Sequence, residues 1–527
     1  MSPSPLVVAI IGAGPRGLNC LQSLASAWRD LDRPIDVHLF GTLDADGVRV
    51  AGAGSAFAPD QPDYLRLNAK RSIIDMFYPA RRDGVEPIGA TFSDWLDDVD
   101  PAWHCVDYPP RARVGTYLGE SYRFLRSRLP AAMHLTEHGP ATAVRRANDG
   151  GWEVDSDAAS VYAHEVMLAL GHSTDRPAAL SPEVVAPIPV IGAVYPVSRR
   201  EAISPDATVV VRGAALTFID ASLALTEGRG GSFERDEDGR LHYRRGGNEP
   251  AAILPIARQG RFLDVKPPAG LLATLIGEDG VARADASVRA SQDPLELLSR
   301  IGAIIEEAGG DSAETMTDPE PAPGEASAQL RTSIEVARGR QESSQGSIVG
   351  AVWTTMYDAI IETLAHREWP DEQWREFLRV DALMERRGFG PPPINGEKLL
   401  ALIEAGIVDT SWLDAGIGQG ELTEQERSVD VVIDAVLPPS GFWSGAYPAL
   451  APIEEYLGVF AAKGAGGERR GVRIAPDASV LSAAGEPIPG LAAVGRITND
   501  WVLGHDTLER RMDPRPERWA QRLAQAL

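Results

Sequence analysis

Three glycines spaced Gly12-x-Gly14-x-x-Gly17 follow directly on the aliphatic run "LVVAII" (6–11). Apolar residues at helical spacing come next: Leu18, Leu21, Leu24, Ala25 and Trp28. Strand, glycine turn and helix in that order suit one kind of chemistry, the holding of a pyrophosphate. The first glycine permits the tight turn, the second lets phosphate approach the backbone, and the third lets helix and strand pack closely. The helix N-terminus adds free N–H groups and a partial positive charge. Pro15 fits the first helical turn, where no N–H is missed. The unit predicts dinucleotide binding rather than a plain structural turn. Arg16 either reaches the pyrophosphate or faces solvent.

A degenerate copy follows mid-chain. The strand around Val209 and Val211 leads into Gly213-Ala214-Ala215, with Thr217 and Asp220 behind it. It reads as a second nucleotide unit or as an ordinary strand–helix connection. Arg258 and Arg261 end the buried stretch "AAILPIARQGRF" (251–262). An arginine there grips a 2′-phosphate, favouring NADP over NAD, or else lies on the surface. After the strand "IDVHLF" (35–40), Gly41 stands where an acid ordinarily holds the ribose, and Asp44 or Asp46 would substitute.

Other chemistry is thinly represented. No metal-ligand spacing, Ser/His/Asp signature or carboxylate pair stands out. Cys20 and Cys105 are the only cysteines and lie far apart, against dithiol redox and cysteine-held zinc. His172, after Gly171, and His505 stand beside strand ends, facing a cofactor or making structural hydrogen bonds.

These residues need elements to position them. A chain of 527 residues is long enough for about two to four domains. A net charge of −24 disfavours nucleic acid and anionic membrane surfaces as partners. "MSPSP" lacks a basic leader, so a soluble cytoplasmic protein without a membrane span is expected. Residues 52–78 are turn-rich, as functional loops are. "WEVDS" (152–156) and a buried strand within 160–173 follow, and a hairpin turns at Asp238-Gly239. Residues 309–347, rich in Gly, Ser, Ala, Pro and Glu, read as a mobile loop. Residues 350–415 read as helical, with Trp353, Tyr357, Trp369, Trp374 and Phe377 packing together. Strands return at 429–439 and near 491–495.

The stretches "IIGAGPRGL", "GSAFAPDQPDYLRLNA", "YPPRARVGTYL", "LALGHS", "GAALTFIDASLALTEGRGGSFERDEDGRLHYRRGGNEP", "GFGPPPINGEKLLALIEAG" and "GHDTLERRMDP" carry a resemblance. The chain resembles bacterial FAD/NAD(P)-binding proteins related to class B flavin monooxygenases, the N-hydroxylating amino-acid N-monooxygenases among them. The resemblance implies an α/β fold of two dinucleotide-binding, Rossmann-like domains with a helical insertion. The FAD domain would span 1–185 and return at 426–527. An NAD(P)H domain would span 186–345, with its mobile loop at 309–347, and a helical substrate or lid region 346–425. FAD and NADPH would be the cofactors. O2 and a small amine or amino acid would be the substrates, N-hydroxylated through a flavin hydroperoxide. Gly12, Gly14, Pro15, Arg16 and Gly17 would hold the FAD pyrophosphate. The segment from Gln61 to Asn68, Gly171, and the loop from Gly495 to Asp506 would border the flavin. Gly213, Thr217 and Arg258 would serve NADPH. Arg66, Lys70 and Arg71 would receive a substrate carboxylate or lie on the surface. Relatives often self-associate, so a homo-oligomer is possible, although the sequence itself leaves oligomeric state open. Two other readings share this layout: a flavin-dependent NAD(P)H oxidoreductase without oxygen insertion, and a non-catalytic FAD-binding scaffold or sensor.

Overall fold

The computed structural model describes residues 4–526, apart from 44–46, 48–49, 79–88, 174–175, 177–178, 196, 198–202, 318–323, 426 and 458–470. Asp44 and Asp46 lie outside the described residues.

Two largely parallel sheets organise an α/β chain. The first orders its strands Ser479–Leu481, Pro487–Ala493, Glu165–Leu168, Leu6–Ile11, Ile35–Phe40, Met133–His138. Only the edge pair Ser479–Leu481 and Pro487–Ala493 is antiparallel. The aliphatic opening strand lies inside this sheet with Val8 and Ile10 fully buried, which its unbroken apolar run anticipates. Chain order reverses around it: an early strand pairs on one side and a later one on the other. The crevice at the carboxyl ends of such strands is where open α/β sheets take ligands.

The second sheet orders Ala252–Ile256, Thr208–Arg212, Val431–Asp434, Val190–Ile191, all parallel. Thr208–Arg212 occupies the same switch position as the opening strand. A three-stranded antiparallel sheet (Ala141–Arg146, Trp152–Ser156, Ser160–Ala163) flanks the first unit. The expected hairpin is present as Ser232–Arg235 and Leu241–Arg244, with Gly239 at φ +74°. Among the described residues, no helix is long and apolar enough to cross a membrane.

Three expected boundaries move. Val431–Asp434 pairs with Thr208–Arg212, so the return to the first sheet begins at Ser479–Leu481 rather than at 426. All four of its residues are buried, and a strand apolar on both faces suits either sheet by composition. The stretch 309–347 is not a mobile loop throughout: it holds the helices Ser312–Thr317 and Glu325–Ala337 and the start of Gln345–Leu364. Its prolines are confined to 318–324. Beyond them Ala326, Leu330 and Ile334 recur every fourth residue and bury against Leu399 and Leu402 in the second core. The helical unit, expected from 346, already includes Leu271–Arg289 and Pro294–Glu307. These pack Leu272, Leu297 and Ile301 against Trp353, Met356 and Phe377 in one core. Pro393–Glu404 belongs instead with the second sheet.

Candidate functional site

The turn after the opening strand is built where only glycine fits. Gly12 has φ +110°, and a Cβ there would stand 2.2 Å from the Ala169 carbonyl oxygen. A Cβ at Gly17 would stand 1.8 Å from the Gly12 oxygen, so this glycine lets the helix Pro15–Ala27 close onto the turn. Gly14 is different. Its backbone is extended, and the nearest atom to an added Cβ would be 3.8 Å away, at Gly54. No neighbour demands glycine there, and the open space beside it is what an approaching phosphate uses. The helix has no side-chain cap at Gly14, so its first N–H groups remain available. A second glycine strip borders the same space. The Gly52 N–H donates to the Ala13 oxygen at 2.7 Å, and Gly52 and Gly54 both have positive φ. "AGAG" (51–54) was the readable signal for it.

Arg16 does neither thing expected of it. Its guanidinium pairs with Asp513 and donates to the carbonyls of His505 (2.9 Å) and Thr507 (2.7 Å). It clamps the C-terminal loop over the nucleotide turn, and these partners commit it away from both pyrophosphate and solvent. Burial alone would raise the Asp513 carboxyl. Arg515 and Arg16 outweigh burial and hold it far below the usual carboxylate range.

The mid-chain turn repeats the first in backbone more than in sequence. The Gly213 N–H (φ +108°) donates to the Ile256 oxygen at 2.8 Å, as Gly12 donates to Phe40 at 3.0 Å. Ala215 precedes the helix Leu216–Leu225 at φ −99°, extended like Gly14 and open to any residue. Phe218 stands where Gly17 stands in the first turn. It is fully buried and stacks on Phe262, so side chains rather than bare backbone seat this helix. Thr217 is buried in the helix's first turn. Arg258 is exposed just past the neighbouring strand Ala252–Ile256, while Arg261 is buried.

Gly171, His172 and the loop from Gly495 to Asp506 follow the carboxyl ends of the paired parallel strands Glu165–Leu168 and Pro487–Ala493 of the first sheet. The Tyr447 hydroxyl donates to the Gly171 carbonyl at 3.1 Å. Gly495 turns the chain at φ +82°. His505 is buried, and both its ring nitrogens lack partners among the described residues, as does Arg496 Nε. The guanidinium of Arg496 comes no nearer to Asp506 than 3.9 Å. Orphaned polar atoms of this kind fit a polar ligand. Enclosure, with Arg496 adding to it, pushes His172 and His505 down to about 4, so both rings are neutral at neutral pH.

Gln61 and Asn68 lie on the loop that follows the Gly52–Gly54 strip. Gln61 Nε2 donates to the Ala56 oxygen at 3.4 Å, within its own loop. Asn68 Nδ2 donates to the Phe389 oxygen at 3.4 Å, just past the helix Asp371–Gly388. The Phe389 ring meets Tyr357 edge-on with centroids 4.7 Å apart, and Lys266 Nζ lies 5.3 Å from its centre. Beyond Tyr357, Glu385 and Asp381 approach the C-terminal loop. Burial and Asp506 raise Glu385 to about 7. Of the three cations the sequence offered for a carboxylate, two are committed elsewhere. Arg71 is buried, paired with Asp97 and bonded to the Trp103, His104 and Ser93 carbonyls. Arg66 stacks over Trp103 at 4.2 Å. Lys70 remains, beside Lys266, which no pattern in the sequence singled out.

Comparison with known proteins fits these turns. Residues 9–173 match a family described as FAD-NAD(P)-binding. An L-aspartate N-monooxygenase (nitrosuccinate-forming) of Streptomyces cremeus is 30% identical over 286 residues, covering 47% of this chain and 41% of that one. The nitrosuccinic acid synthase of Aspergillus oryzae is 27% identical over 257 residues, covering 46% of this chain and 38% of that one. The match thus spans only about two fifths of these curated relatives. The ornithine N-hydroxylase structure of Kutzneria sp. 744 aligns with 99% of this chain and 100% of its own, at 13% identity and a TM-score of 0.49. The stretch that matches the FAD-NAD(P)-binding family, residues 9–173, contains the glycine turn set at the switch point of the first parallel sheet.

Proposed function

We propose that the chain is an FAD- and NADPH-dependent monooxygenase that uses O2 to hydroxylate the amine of a small amino acid. The observation that carries this reading is the pair of nucleotide turns, Gly12 and Gly213, matched in backbone and each closing a central parallel strand. The likeness to enzymes named for L-aspartate N-oxygenation and nitrosuccinate formation supports amine oxidation and makes L-aspartate the first substrate to try.

The residues present fit FAD. The space beside Gly14 and the uncapped helix Pro15–Ala27 suit its pyrophosphate. The unpartnered nitrogens of His505 and Arg496 suit the polar edge of a flavin ring. Gly171, Gly495, Asp506, Gln61 and Asn68 would border that position. When bound, the flavin supplies hydride acceptance from NADPH and activation of O2. The chain binds and orients. Gly213 and Thr217 would receive the NADPH pyrophosphate. Arg258, past the strand next to that turn, would meet its 2′-phosphate. The Arg16–Asp513 clamp holds the C-terminal loop against the Gly12 turn.

The test is anaerobic addition of NADPH to the purified protein while flavin absorbance is followed, then admission of O2 with L-aspartate. Bound flavin is expected to bleach, and L-aspartate to speed NADPH oxidation with an N-oxygenated product. Flavin that stays oxidised would mean that the Gly213 turn does not serve NADPH, and the reading fails.

A further inference from the structure

The loop from Gly495 to Asp506 carries a buried histidine with nothing to bond. His505 is 7% exposed, and neither ring nitrogen has a hydrogen-bond partner among the described residues. Buried polar atoms are ordinarily matched, so this ring is set for a partner that comes from outside the chain. Burial, with Arg496 adding to it, keeps the ring neutral. One nitrogen therefore donates and the other accepts.

The backbone beside that ring is fixed from two directions. Gly504, just before it, has φ +63°, and a Cβ there would stand 2.5 Å from Ile361 Cδ1, so the loop lies directly on the helix Gln345–Leu364. From the other direction, Arg16 Nη2 donates to the carbonyls of His505 at 2.9 Å and Thr507 at 2.7 Å. Arg16 stands in the first turn of the helix Pro15–Ala27, two residues past Gly14, and its Nη1 pairs with the buried Asp513. A planar guanidinium bonded to three points of one loop is a stiff support. Gly495, at the start of the same loop, meets the stem of that support: a Cβ there would stand 3.5 Å from Arg16 Cγ.

We infer that Arg16 is a positioning residue for the flavin, holding the His505 ring where the flavin's ring system arrives, so that His505 completes its bonds on that ring's polar edge. This role rests on FAD occupying the Gly12 turn, the part of the proposed function that it deepens. A flavin's polar edge offers carbonyl acceptors and an N–H donor, which a neutral imidazole can match. Arg16 thus acts on the flavin end of the cofactor and leaves the pyrophosphate to Gly14 and the uncapped helix.

Equilibrium dialysis of the full chain against FAD and, separately, against ADP distinguishes this role from a merely structural one. ADP carries the adenosine and pyrophosphate of FAD without its ring system. His505→Phe and Arg16→Met are each expected to weaken FAD about tenfold, as loss of bonds to one buried group does, while ADP affinity stays at the wild-type level. The two together should also weaken FAD about tenfold rather than a hundredfold, because the second change removes the support of a ring already lost. Arg16→Lys keeps the charge without the fork and should recover part of the affinity. An Arg16 that met the pyrophosphate, or only stabilised the turn, would make Arg16→Met weaken ADP as much as FAD. That result, losses that multiply in the double variant, or FAD affinity unmoved by His505→Phe would each overturn this role. FAD that depends on both residues but is not bleached by NADPH removes the monooxygenase reading and leaves this role. Flavin that NADPH bleaches, with losses that multiply, removes this role alone.

Discussion

Gly12 and Gly14 are two residues apart and answer to different constraints, which single substitutions separate. At Gly12 a methyl group meets the Ala169 carbonyl at 2.2 Å on a backbone at φ +110°. Gly12→Ala is expected to cost about 3 kcal/mol or more in chemical denaturation, strain and overlap acting together. At Gly14 a methyl group is accommodated, so Gly14→Ala should keep the wild-type melting temperature. Its methyl occupies the space assigned to pyrophosphate, so the ratio of flavin to protein absorbance should drop. A second residue-scale effect concerns Asp513, whose side chain is fully buried between Arg16 and Arg515. Its folded pKa lies below the unfolded value of about 3.9, so its contribution is complete above about pH 5 and fades as acid protonates it. Asp513→Asn should cost about 3–5 kcal/mol at neutral pH by leaving two guanidiniums without their counterion, and the deficit should shrink toward pH 3.

Elements were legible where one local pattern decides them. The aliphatic opening strand, "WEVDS" and the Asp238-Gly239 hairpin all fall where period and turn chemistry place them. Val431–Asp434 was legible as a strand but not as a member of the second sheet, because sheet membership is settled by partners distant in sequence. Glu325–Ala337 was masked by the prolines before it: composition over a wide window hid a four-residue period that begins only at Ala326. The site divides the same way. Glycine turns are written locally, so Gly12 and Gly213 were readable. Lys266, Tyr357 and Glu385 come from separate elements and meet around Phe389 only through tertiary packing. One consequence is measurable for the helix that composition hid. Backbone amides of 330–337 should exchange as slowly as those of 399–404, since both segments share one buried core. Leu330→Ala should cost about 2–4 kcal/mol, as cavity-forming substitutions do. Fast exchange across 330–337 would restore the mobile-loop expectation.

For the whole molecule, what matters is how the two nucleotide turns are held relative to one another. The helix Arg111–Arg126 belongs to the first unit, yet its first residue reaches into the second. Arg111 Nη2 lies 2.7 Å from Asp220, on the helix that follows the Gly213 turn, and Arg111 Nη1 donates to the Tyr195 hydroxyl at 2.7 Å. Tyr195 in turn donates to Asp220. Asp220 is buried, so the contact is a desolvated ion pair between units, and such pairs fix geometry more reliably than they add stability. Two variants separate these roles. Asp220→Asn leaves Arg111 enclosed without its counterion and should lower the melting temperature. Replacing both partners with apolar residues, Arg111→Met with Asp220→Leu, should recover most of that loss. If the pair sets the distance between the two cofactor sites, stability and function part company in the double variant. Flavin content should stay at the wild-type level, while the NADPH concentration needed for half-maximal flavin bleaching rises about tenfold. A double variant that bleaches with wild-type NADPH dependence would show that packing of the two units, not this ion pair, sets their spacing.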